Sequence, residues 1–215
     1  MNNDSKIVSE ILLKIKSVTF NSEKPFKYAS GILSPVYIDC RILMSYPTER
    51  NIIRDLYIKK INSIEEKFDV IAGTATAGIP HAAWIAEKLN LPMIYVRGKA
   101  KDHGKGNQIE GIISNGQKIA VIEDLISTGE SSCETTRAIR NTGGISNHVF
   151  SIFTYNMNSA YENFKENKIK NYSLTSFEDT VSTAGNLKNI NEKQKKIILE
   201  WTLDPKSWGK KMGFE

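Results

Sequence analysis

Glu123 and Asp124 stand side by side, after the apolar run Ile119-Ala-Val-Ile122 and before Leu125-Ile-Ser-Thr-Gly-Glu-Ser-Ser132. An ionised carboxylate only accepts hydrogen bonds, so an adjacent pair suits hydroxyl groups such as those of a ribose, not a phosphate. Phosphate chemistry belongs just downstream. Ser127, Thr128 and Gly129 are small enough for backbone N–H groups to close around an anion, and the helix expected behind them favours its charge. Strand, acid pair and cradle in this order spell a ribose 5-phosphate site. The plainer reading of the same residues is a capped helix and two solvated loop acids.

A second segment weighs between those readings. Arg97-Gly-Lys-Ala-Lys-Asp-His-Gly-Lys-Gly106 places four cations and His103 among three glycines, with no large apolar side chain. Such a segment cannot pack in a core and is expected to be a mobile loop, suited to closing over a polyanion. Alone it would read as a solvated charge run. With the cradle, it predicts a sugar ligand with phosphates at both ends.

The elements that must position these residues follow from periodicity. Ile7, Val8, Ile11, Leu12 and Ile15 share one face of an amphipathic opening helix. A turn- and aromatic-rich stretch runs from Phe20 to Tyr46, and a helix is expected from Thr48 as N-cap. Strands are predicted at 69–72, 93–96, 118–122 and 148–155, with helices at 79–89 and 131–140 and a small-residue turn at 73–78. Strands alternating with helices mean an α/β fold around a doubly wound parallel sheet. The last sixty residues are expected to close the sheet edge.

Composition bounds the rest. The 215 residues allow one domain with a real core, and 40% hydrophobic content excludes a disordered chain. Neither a membrane-length apolar run nor a signal-peptide pattern is present, so a cytoplasmic protein is expected. Cys40 and Cys133 are too few for a disulfide framework and read as free thiols. His81 and His148 read as structural or exposed, and the three tryptophans as packing residues. The net charge of +5 raises nucleic acid as a partner, but residues 97–106 carry +3 of it. The basicity that matters is a short lid, not a face for nucleic acid.

Ile122-Glu-Asp-Leu-Ile-Ser-Thr-Gly129 resembles the phosphoribosyl pyrophosphate motif of the type I phosphoribosyltransferases. The loop, read as Arg-x-Lys-x-Lys-x-His-Gly, is similar to the catalytic loop of one branch, the orotate phosphoribosyltransferases. Phe26–Arg41 with its Ser-Gly-x-x-Ser-Pro, Gly73–Pro80 and Asn107–Gly111 agree, so the resemblance covers roughly residues 7 to 155. The purine-type enzymes lack that Ser-Gly-x-x-Ser-Pro segment.

The resemblance implies one domain over 1–215, with a parallel twisted sheet flanked by helices, a small N-terminal hood (about 18–46) and a core (about 47–215). Glu123 and Asp124 would hold the ribose hydroxyls, and the backbone of Leu125, Ile126, Ser127, Thr128, Gly129, Glu130 and Ser131 would cradle the 5-phosphate. Arg97, Lys101 and His103 would bind the pyrophosphate, with Lys101, His103 and Asp124 as the catalytic set. Ser127 and Tyr37 would meet orotate. Magnesium is expected through the substrate and not through protein ligands. A homodimer with exchanged loops is implied, without nucleic-acid or membrane partners. The implied reaction joins phosphoribosyl pyrophosphate to orotate, giving orotidine 5-monophosphate for pyrimidine (UMP) biosynthesis. Three positions depart from cations found in some members: Ala29, Ala77 and Gly98. An Arg of some members is also replaced near Tyr155.

Overall fold

A computed structural model describes residues 1–28, 31–98 and 108–214. The described chain divides into two compact units, residues 1–46 with 175–214, and residues 47–174.

The first unit opens with α1 (Asn3–Lys14), begun by Asn2, whose side chain accepts the Ser5 N–H at 2.8 Å as an N-cap. Short antiparallel pairs follow, β1 (Val18–Phe20) with β4 (Val36–Ile38), and β2 (Phe26–Lys27) with β3 (Leu33–Ser34). A 3-10 helix spans Cys40–Ser45.

The second unit starts with α2 (Pro47–Asn62). Thr48 is therefore not its cap, because Pro47 takes the first helical position, where a missing N–H costs nothing. β5 (Val70–Thr74), α3 (Gly78–Leu89), β6 (Met93–Val96), β7 (Ile109–Glu110), β8 (Lys118–Ile126), α4 (Glu130–Asn141), β9 (Ile145–Thr154), α5 (Asn158–Glu166) and β10 (Lys170–Ser176) follow. The chain then returns to the first unit with α6 (Phe177–Asn186), α7 (Glu192–Leu203) and α8 (Pro205–Lys211). So only β10 of the C-terminal segment takes the sheet edge. In their own unit α6, α7 and α8 share a core with the N-terminal residues: Trp201 Nε1 donates to the Leu33 carbonyl at 2.9 Å. Ser5 and Ser9 of α1 also share buried hydroxyl bonds with Thr175 and Thr180.

The six-stranded sheet runs in the order β10-β9-β8-β5-β6-β7. β5 pairs in parallel with both β6 and β8, and β8 with β9, as predicted, while the two-residue β7 is antiparallel to β6. Helices cover both faces. A side chain at Gly73 would strike Ile79 and Ala82 of α3, whereas Ala72, Val121 and Val149 cluster with Cys133 and Ile139 of α4. From β5 the chain moves to β6 on one side and then crosses to β8 on the other. The order thus reverses between β5 and β8, and the crevice outside their carboxyl ends is where such sheets take ligands.

Candidate active site

β8 runs four residues further than the apolar pattern predicts, so Glu123 and Asp124 lie within the strand and not in the turn after it. Strand alternation explains the extension: with Ile119, Val121 and Ile122 buried, Glu123 points to the face that carries α4. Its side chain is 5% exposed. Ser131 Oγ donates to Glu123 Oε2 at 3.2 Å, Ser132 Oγ reaches the same oxygen at 3.4 Å, and the Asp124 N–H meets Oε1 at 3.2 Å. Burial pushes the Glu123 carboxyl well above the usual carboxylate range, and the neighbouring Asp124 charge adds to the rise. Asp124 itself is half-buried.

The turn after β8 is Ser127-Thr128-Gly129, and α4 begins at Glu130. Gly129 sits at φ +76°, a left-handed conformation open to glycine at little cost, and makes no side-chain cap. A Cβ there would also lie 2.8 Å from Cζ of Phe164. Four of the eight described α-helices, α1, α6, α7 and α8, begin with a side chain bonded to a first-turn N–H. α4 has none, so its first-turn donors are left for another acceptor. Ser127 is half-buried, whereas Thr128, Glu130 and Ser131 are exposed. Ile126 is buried in the core, so only its backbone can serve a ligand.

The turn between β5 and α3 reaches the same crevice. Gly78, the first residue of α3, lies so close to β8 that a Cβ would collide with the Ile122 carbonyl. The small-residue run 73–78 thus brings its turn beside the acid pair, which a larger residue at 78 would forbid. The Ala75–Thr76 peptide is cis, and α3 too lacks a side-chain cap.

Arg97 follows β6 and pairs with Glu110 of β7 at 3.5 Å. Its backbone N–H donates to the Gln108 carbonyl at 2.9 Å, and Gln108 Nε2 returns a bond to the Arg97 carbonyl at 2.8 Å. Lys101 and His103 lie outside the described residues. Tyr37 belongs to the first unit, on β4, exposed and 5.6 Å from the Phe26 ring. Among the site residues, then, the structure brings together Glu123, Asp124 and Ser131 around the turn 127–129.

Several contributors carried no legible sequence signal. Tyr57 of α2 is fully buried, and its hydroxyl donates to the Glu123 carbonyl at 2.6 Å. Asn163 of α5 donates from Nδ2 to the Thr128 carbonyl at 2.9 Å. Both partners are backbone atoms distant in sequence, so no local pattern marks them. His81 and His148 are both buried, and burial lowers His81 to about 4. His81 packs edge-on against Trp84, and His148 Nδ1 lies 3.2 Å from Glu66. No helix among the described residues is long and apolar enough to cross a membrane.

The chain is similar to known proteins. The model of the phosphoribosyl transferase domain family matches residues 44–184. An orotate phosphoribosyltransferase of Enterococcus faecalis is 48% identical over 210 residues, covering 98% of this chain and 100% of the relative. One of Coxiella burnetii is 45% identical over 96% of this chain and 99% of its own length. Among solved structures, orotate phosphoribosyltransferase from Aeropyrum pernix superposes with a TM-score of 0.73 at 25% identity, over 86% of this chain and 99% of that one. Leishmania donovani UMP synthase reaches 0.77 at 25% identity over 92% of this chain and 42% of its own. An acid pair and an uncapped helix meet at the switch point of the sheet, in a chain alike over nearly its whole length to these enzymes: it belongs to the phosphoribosyl transferase family and, within it, to the orotate phosphoribosyltransferases.

Proposed function

We propose that this protein transfers the 5-phosphoribosyl group of phosphoribosyl pyrophosphate to orotate, forming orotidine 5-monophosphate and pyrophosphate in pyrimidine synthesis. The observation that carries the reading is the meeting of Glu123 and Asp124 with the uncapped α4 turn at the β5–β8 crevice. The carbon–oxygen bond from the anomeric carbon to pyrophosphate breaks, and a bond from that carbon to an orotate ring nitrogen forms, as the proton of that nitrogen passes to the departing pyrophosphate. Positive charge develops on the ribose ring and negative charge on the leaving group. Positioning and electrostatics therefore carry the catalysis.

Asp124 and Glu123 accept the ribose hydroxyls, and a donated hydroxyl offsets part of the burial that Glu123 suffers. The N–H groups of the 127–131 turn hold the 5-phosphate, where the helix dipole favours its charge. Arg97, with Lys101 and His103, meets the pyrophosphate. Ser127 and Tyr37 contact orotate.

No group of three or more metal-ligating side chains occurs among the described residues. Magnesium would be held through the phosphates of the substrate, where it would neutralise charge on the departing pyrophosphate. We also propose that both units serve one catalytic domain with 18–46 as its hood, and that the protein is a cytoplasmic homodimer whose loops exchange.

The test mixes protein, magnesium and phosphoribosyl pyrophosphate with orotate, hypoxanthine or uracil, and follows ultraviolet absorbance. Loss of the orotate signal alone is expected. Turnover of hypoxanthine in its place, or of no base, overturns the proposal.

A further inference from the structure

Asn163 fastens the turn that receives the 5-phosphate. Its Nδ2 donates to the Thr128 carbonyl at 2.9 Å, and its own backbone carbonyl accepts from Cys133 Sγ of α4 at 3.6 Å. The next residue, Phe164, is buried and presses on Gly129, with Cζ 2.8 Å from where a Cβ would stand. α5 therefore grips both ends of the turn–helix junction, through Thr128 on one side and Cys133 on the other.

The consequence follows from peptide geometry. In a trans peptide the carbonyl and the following N–H point in opposite directions. Among the described residues only the Ala75–Thr76 bond is cis, so the Thr128–Gly129 peptide is trans. Holding the Thr128 carbonyl toward α5 turns the Gly129 N–H to the opposite side, away from α5. Gly129 at φ +76° has no side chain of its own to prevent that peptide from rotating. An anion cradle needs its donors aimed before the anion arrives, since a rotating peptide spends binding energy on ordering.

We infer that Asn163 is a positioning residue for phosphate binding, acting through the Thr128–Gly129 peptide and touching no substrate itself. The inference rests on the turn 127–129 being the 5-phosphate site of the proposed reaction. It assigns to α5 a part in substrate affinity.

The experiment compares the full-length protein with Asn163→Ala, which removes the donor, and Asn163→Asp, which keeps the shape but sets an oxygen against the Thr128 carbonyl. Ribose 5-phosphate binding by calorimetry, steady-state kinetics and thermal melting are measured on each. Ribose 5-phosphate should bind about three- to tenfold more weakly in Asn163→Ala, the worth of one hydrogen bond, and more weakly still in Asn163→Asp. The KM for phosphoribosyl pyrophosphate should rise in step, with the KM for orotate and the melting temperature unchanged. Unchanged ribose 5-phosphate affinity in both variants overturns the inference. So does a fall in melting temperature together with a rise in both KM values, which marks a merely structural contact. A wild-type protein that binds ribose 5-phosphate but turns over no base overturns the proposed reaction and leaves the calorimetric comparison to decide on Asn163. A wild-type protein that does not bind it overturns both.

Discussion

The helices of the first unit close their own ends, whereas those at the sheet's carboxyl edge do not. Asn2, Ser176, Asn191 and Asp204 each bond a first-turn N–H of the helix they precede, and Asn191 does so in a reciprocal capping box with Gln194. α3 and α4, which follow the adjacent strands β5 and β8, start from Ala77 and Gly129 with no such bond. A capping side chain stabilises a helix by occupying the donors that an anion would otherwise use. One set of helix ends is built for stability and the other for occupancy. The small residues at 73–78 and 127–129 serve the second purpose by letting neighbouring backbone approach.

The largest effect that sharpens this contrast is on chemistry. Asp124→Ala should lower kcat/KM for phosphoribosyl pyrophosphate by about 100-fold or more, read from orotate absorbance, with an unchanged melting temperature. Asp124 is half-buried and not a core residue, so its truncation leaves no cavity in the core. A variant with near wild-type turnover would move the site elsewhere.

Gly78→Ala should come next. Its new Cβ meets the Ile122 carbonyl, a backbone atom that cannot yield without moving β8. A loss of about 2–3 kcal/mol in urea unfolding is expected, with weakened substrate binding as the turn lifts away from Glu123. Wild-type stability would mean that the approach of α3 to β8 is slack.

Acidification probes the first turn of α3. His81 is buried there, with burial lowering it from 6.5 to about 4. Above pH 6.5 the imidazole is neutral in both folded and unfolded chains, so it contributes no slope. Below 6.5 the unfolded chain takes up a proton that the folded one refuses until about pH 4. Stability should therefore fall in that window, by at most about 1.4 kcal/mol per pH unit. Parallel urea titrations of His81→Gln should show a shallower fall, and equal slopes would remove His81 as the cause.

The smallest effect belongs to the self-capped set. Asn191→Ala should cost about 1 kcal/mol of stability and leave both KM values unchanged. A change in KM would blur the division between structural and occupied helix ends.

Much of the site was legible because its residues are contiguous. Glu123 to Ser131 form one run, and strand–acid–turn–helix is a local pattern that one stretch of chain can display. The parallel sheet was legible too, since β6 has the predicted bounds and β5, β8 and β9 lie within a few residues of theirs. β8 was read four residues short because a charged pair looks like the end of a buried strand. It continues because Ser131 and Ser132 satisfy the buried carboxylate from α4. Thr48 looked like a cap, yet Pro47 already supplies the preset φ of a first helical residue.

The sequence by itself determined the chemistry on offer: an acid pair, small hydroxylated turns and a cationic segment, each defined by neighbours a few residues apart. Only the tertiary structure decided that the crevice lies between β5 and β8, since strand order is not encoded in any one strand's periodicity. It likewise decided that the C-terminal helices join the N-terminal unit, and that Tyr57 and Asn163 hold the Glu123 and Thr128 carbonyls. Those bonds join side chains to backbone atoms 66 and 35 residues away. Every residue has a backbone carbonyl, so the choice of partner is made by the fold.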